Sequence, residues 1–230
     1  MHFKKILIFI IFCIATDVAL AKIELLPYGN KYKILISDVI TTKDLDDFKS
    51  VIDQLEKSKM TFHMNSIQLN SNGGNIDVAM EIGKIIREKN IIHLNRKKIL
   101  CDSACVFILL GGVSRYPFGK IGIHRATYYM NVIDDNKILK DTNETLTKTK
   151  KYIEEMGISS QLYDAIYHTE PWKIYYLTDK EKKDWGVLGD DIYHEEYLIG
   201  KFATNRHISH SESLVIFSKL RYLLRHGKTI

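Results

Sequence analysis

Three times between residues 32 and 110, a short strand-like run gives way to a stretch with helical character. Residues 32–36 are β-branched and apolar. Behind a Thr41/Asp44 capping pair, Leu45, Phe48, Val51, Ile52 and Leu55 then recur at helical spacing. Residues 62–69 read as a second strand, closed by the polar turn Asn70-Ser71-Asn72-Gly73-Gly74-Asn75. Ile76, Ala79, Ile82, Gly83 and Ile86 follow on one helical face. Residues 91–94 give a third strand. Residues 101–110, apolar on all sides after their first few positions, predict a buried helix ended by Gly111-Gly112. Such alternation requires a parallel sheet with right-handed crossovers, the α/β class. Short strands are expected around 115–116 and 121–124. Beyond Asp135 the pattern is helical, over 146–156, 160–167 and 179–185. With 230 residues, 45% of them hydrophobic, the chain can bury a core without disulfide staples.

The two ends differ from this body. Lys4 and Lys5 precede an apolar run at 6–14, and Ala19-Leu20-Ala21 closes the segment. That order reads as a signal peptide over 1–21 and predicts export, periplasmic or secreted, with a mature start at Lys22. The run is well short of the ~20 residues that span a bilayer. The main domain is placed at 22–198 and a tail at 199–230. In the tail, Leu214, Phe217, Leu220 and Leu224 share a helical face, with Lys219, Arg221, Arg225 and Lys228 around it. A basic amphipathic helix of this kind packs on its own domain, or docks on a membrane surface or a partner. The net charge of +5 is spread over many lysines, which points away from nucleic acid as a partner.

Three local features bear on chemistry. Gly73-Gly74 lets the backbone approach a ligand with its N–H groups outward, or simply makes a turn. Ser103, in Cys101-Asp102-Ser103-Ala104-Cys105, is placed at a helix start, as a nucleophile with the Ala104 N–H beside it or as an N-cap. His124 ends an apolar strand after Gly122, as a base or a structural histidine. In this order, the three features resemble the Clp protease proteolytic subunit and its crotonase-fold relatives, and in particular the periplasmic single-domain branch with a Cys-x-Ser-Ala-Cys motif and a following Gly-x-His. The resemblance runs from about Tyr32 to about Gly189 and includes Leu177-Thr178 with Trp185-Gly186-Val187. It implies a stacked ββα superhelix with a helical C-terminal extension, and a serine peptidase or related hydrolase that uses no metal or organic cofactor. Ser103 would be the nucleophile and His124 its base. Backbone N–H groups of Gly74 and Ala104, with Asn75, would form the oxyanion hole. Peptides would bind by strand addition, and homo-oligomers are expected.

One position departs from the resemblance. Where the proteolytic subunit carries the acid that orients its histidine, this chain has Ile174, and Glu170 is the nearest upstream candidate. A Ser–His dyad, a borrowed acid and an inactive peptide-binding or assembly module all remain open. Acyl-CoA chemistry is disfavoured by the export signal. Cys101 and Cys105 bracket Ser103. Four residues apart in a helix, they would lie within bridging range, as a disulfide or as a reduced pair. His207 and His210 lack a completing metal ligand. Asn143-Glu144-Thr145 is a glycosylation sequon, relevant only to a eukaryotic source.

Overall fold

The computed structural model describes residues 22–28, 31–57, 66–95, 100–117, 119–126 and 135–225. The expected signal peptide, the start of the second predicted strand (62–65) and Lys228 lie outside them. In chain order the elements are β1 (Lys22–Tyr28), β2 (Lys31–Ile40), α1 (Asp44–Lys57), β3 (Ser66–Gly74), α2 (Ile76–Glu88), β4 (Ile92–Asn95), β5 (Leu100–Asp102), α3 (Cys105–Leu110), β6 (Ser114–Pro117) and β7 (Lys120–Ile123). There follow α4 (Asp135–Glu155), α5 (Ser160–His168), β8 (Tyr175–Tyr176), α6 (Asp179–Asp184), β9 (Gly189–Asp190), α7 (Ile192–Arg206) and α8 (His210–Arg225).

The predicted alternation is present, and its consequence is a largely parallel α/β sheet. β2, β3, β4 and β6 pair in parallel along one branch, and β3, β5 and β7 along another. β3 belongs to both: Ser66 and Ile67 pair with β4, and Ser71 pairs with Cys101 of β5. Each strand–strand–helix unit (β4–β5–α3, then β6–β7–α4) therefore sends one strand to each branch, which is the stacked ββα arrangement. Antiparallel β1, β8 and β9 close the edges. The helical faces read from spacing are the buried ones: Phe48, Val51, Ile52 and Leu55 of α1, and Ala79, Ile82, Gly83 and Ile86 of α2. Thr41 donates its Oγ1 hydroxyl to Asp44 at 2.8 Å, the expected cap.

Three local expectations change. β1 was not foreseen. The polar turn after the second strand is instead the end of that strand, since Gly73 and Gly74 pair with Val39 and Ile40. A bulge on β3, where Ser71 and Asn72 stand opposite the single left-handed Asp38 of β2, supplies the register shift that makes this pairing fit. The expected helix at 101–110 begins only at Cys105, because Leu100, Cys101 and Asp102 pair with Lys120, Ile121 and Gly122 as a strand.

In the tail, α7 runs unbroken across position 198/199. α8 packs on it: Ser213 Oγ donates to Ile199 O at 2.8 Å, and the Phe202 and Phe217 rings meet edge to face at 5.6 Å. Leu214, expected on the packed face, is 45% exposed, because the face that meets α7 is centred on Ser213 and Phe217. Among the described residues, no helix is long and apolar enough to cross a membrane.

Candidate active site

Ser103 stands where β5 turns into α3, with φ at +55°. A non-glycine residue in this region is uncommon, and such residues concentrate at functional sites. The surroundings hold it there. Its N–H donates to Gly122 O at 2.8 Å, and its carbonyl accepts from Val106 N at 3.1 Å, opening α3. Gly73 lies directly beneath: a Cβ there would come within 2.6 Å of Ser103 Cβ and 2.9 Å of Ala104 N. The glycine is thus required both by its own φ of +98° and by the approach of the serine turn.

Cys101 and Cys105 form a disulfide with Cα atoms 5.3 Å apart. It joins the middle of β5 to the first residue of α3 and so closes the serine turn, rather than spanning one turn of a helix. Closing so short a loop stabilises by about 2 kcal/mol. In a chain of this size, replacing both cysteines with alanine is expected to lower the melting temperature by about 4–8 °C. The measurement is a thermal unfolding curve against wild type, and the wild-type curve in reductant should fall by a similar step.

A cleft of about 450 Å³ opens over this turn, and Gly74, Asn75, Ser103, Ala104, Phe107 and His124 are among its lining residues. His124 follows the last residue of β7. Its Nδ1 lies 3.0 Å from the carbonyl of Arg125. A carbonyl only accepts, so this contact places the proton on Nδ1 and leaves the lone pair on Nε2. Arg125 is itself fixed, its N–H donating to Thr169 O at 2.9 Å after the end of α5. No hydrogen bond joins Ser103 and His124 directly. Apo sites often close such contacts only around a substrate.

The donor groups sort themselves by backbone geometry. Asn75 does not fit the place expected for it: its N–H donates to Ile40 O at 2.9 Å, and its side chain caps α2 through Val78 N at 3.0 Å. Gly74, with φ at +138°, lines the cleft together with Ser103 and Ala104. Ala104 N–H, two bonds beyond the serine carbonyl, has no partner among the described residues. Glu170 does not reach the histidine either. It forms an ion pair with Lys173, in the turn that follows α5. Of the histidines in the tail, His207 caps α7 in left-handed conformation and His210 pairs with Glu196.

No family model matches the sequence, and no curated protein matches it significantly. Solved structures do share its architecture. A mutant of a membrane-bound stomatin-specific protease superposes with a TM-score of 0.51 at 23% identity, covering 71% of this chain and 81% of that one. A mutant of ClpP1 from Listeria monocytogenes gives 0.54 at 19% identity, over 68% and 88% of the two chains. ClpP1 from the same organism gives 0.51 at 20% identity over the same shares. The chain has a ClpP-like fold.

Proposed function

We propose that this protein is an exported serine hydrolase, most simply a peptidase, working through Ser103 and His124. The observation that carries the reading is one cleft lined by a serine in left-handed conformation, a histidine whose Nε2 is left as acceptor, and the backbone of Gly74 and Ala104. Ser103 Oγ attacks the carbonyl carbon as His124 Nε2 takes its proton. The imidazolium then gives that proton to the leaving group. Gly74 and Ala104 N–H groups hold the oxyanion, each such donor typically lowering the barrier by about 3 kcal/mol. The printed names of the structural neighbours, proteases of ClpP type, accord with this chemistry. The disulfide beside the nucleophile accords with export to an oxidising compartment. An extended peptide is the natural substrate shape, lying along the end of β3 by strand addition.

The test is labelling with a fluorophosphonate probe. Wild type should label on the peptide that contains Ser103, and Ser103→Ala should not label above background. Equal labelling of the two would sink the hydrolase reading. A second reading, a peptide-binding module without turnover, is favoured by one observation: Ser103 and His124 are not hydrogen-bonded to each other. It predicts no labelling, together with peptide binding that survives Ser103→Ala.

A further inference from the structure

The carboxylate of Asp102, immediately before Ser103, carries a buried oxygen with no hydrogen-bond partner. The residue is 7% exposed, and the oxygen is Oδ1. Buried polar atoms are nearly always paired, so an orphaned carboxylate oxygen calls for a reason. Oδ2 accepts from the Tyr176 hydroxyl of β8 at 3.2 Å, and the Gly122 backbone also stabilises the carboxylate.

Its position supplies the reason. Asp102 lies opposite Gly122 in the β5–β7 ladder. The missing side chain of Gly122 makes the space that the carboxylate fills: a Cβ there would fall 2.3 Å from Asp102 Oδ1 and 2.6 Å from Ile174 Cγ2. His124 follows two residues after Gly122, just past the end of β7, and lies near enough to act electrostatically on the Asp102 carboxyl. Ile174, at the position where the resemblance implies an acid, lies with Asp102 over that same glycine. The acid arrives from the strand that carries the nucleophile instead of from the segment before β8.

We propose that Asp102 is the positioning residue of the His124 base, its carboxylate countering the charge the imidazole acquires during turnover. This rests on the hydrolase reading above. The division of labour is distinctive. The Arg125 carbonyl takes Nδ1–H and fixes the tautomer, and the charge is countered separately by a carboxylate that makes no direct hydrogen bond to the ring. Burial pushes the Asp102 carboxyl pKa up, while the Tyr176 hydroxyl, His124, the Gly122 backbone and Lys120 pull it down. Among the described residues, Tyr176 of β8, Lys120 of β7 and His124 just after β7 are the titratable and charged groups that face it. On the α5 side, Glu170 is taken by Lys173.

The experiment measures the fluorophosphonate labelling rate against pH for wild type, Ser103→Ala, Asp102→Asn and Asp102→Asn/Ile174→Asp. Removing a negative charge near an imidazole keeps the ring neutral to lower pH. In Asp102→Asn the acid limb of the profile should therefore move down by about one pH unit, while the plateau rate falls about tenfold or more. A purely structural role would lower the rate and leave the limb in place. The double variant returns a carboxylate from the other side of Gly122 and should move the limb back. Asn is isosteric with Asp, and a melting curve checks the fold. Should it fail to fold, Tyr176→Phe, at a 42% exposed position, removes the hydroxyl that holds Oδ2 and should shift the limb the same way by less. An unmoved limb in the folded variants overturns this proposal alone. Wild type labelling no faster than Ser103→Ala overturns it together with the hydrolase reading.

Discussion

Replacing His124 with alanine is expected to lower hydrolysis by about 10⁴-fold or more in kcat, as loss of the base does where a serine and histidine act as a unit. Among the described residues that line the cleft, His124 brings the one imidazole, and the other titratable side chain, Asp77, is paired with Lys148 at 3.1 Å. Without a base, the Ser103 hydroxyl keeps its proton at neutral pH and is a poor nucleophile. The backbone donors at Gly74 and Ala104 do not depend on the ring, so a residual rate from oxyanion stabilisation should persist above the uncatalysed reaction. The measurement is kcat on a peptide substrate, with the fluorophosphonate labelling rate as a check that does not depend on substrate choice. Added imidazole should restore part of the lost rate in His124→Ala and none in Ser103→Ala. A variant that keeps wild-type rates would remove His124 from the mechanism.

The parts of this site that could be read from the sequence are those in which one residue type signals one role. A serine before an apolar run and a histidine after an apolar strand are visible as letters, and the alternating elements said that both belong to neighbouring units of one sheet. The helical faces of α1 and α2 were legible for the same reason: burial repeats with the helix period over more than ten residues. The partner of His124 Nδ1 is not legible in the sequence: an acid would stand out as a letter, whereas the contact is with the Arg125 carbonyl, a group that every residue carries.

β5 was hidden by its neighbour. Three strand residues are too few to show a period of two, and they run straight into the apolar α3, so the whole stretch looked like one helix. With it went the left-handed Ser103, since serine carries no sequence signal for positive φ, and the lodging of Asp102 over Gly122. A lone aspartate beside a serine looks like a cap. Only the pairing of β5 with β7 shows which glycine it fills. Asn75 failed in the opposite sense: the residue type fitted an oxyanion donor, but its N–H had already been claimed by Ile40 in the ladder.

The largest stability effect is expected at Arg115, on β6, which is 2% exposed although it carries a full charge. Burial pushes its pKa down to about 10, and the neighbouring Asp191 opposes that shift. The guanidinium donates to three backbone carbonyls, Gly186 at 3.0 Å, Leu110 at 3.3 Å and Gly112 at 2.5 Å. Two of these end α3, and the third belongs to the turn after α6. Alanine here would orphan two buried acceptors and one half-buried one, and open a cavity. The expected cost is about 4 kcal/mol, or a fall of about 8–15 °C in melting temperature for a chain of this size. Lysine keeps the charge but brings one nitrogen where the fork brings two, and should recover less than half of the loss. The consequence reaches the active site because α3 is only six residues long and fixed at both ends, by the disulfide at Cys105 and by Arg115 just past Leu110. Releasing its far end loosens the base on which Ser103 turns. In Arg115→Ala, labelling at Ser103 should therefore fail at a lower temperature than the global transition seen by circular dichroism, and the two should coincide in wild type.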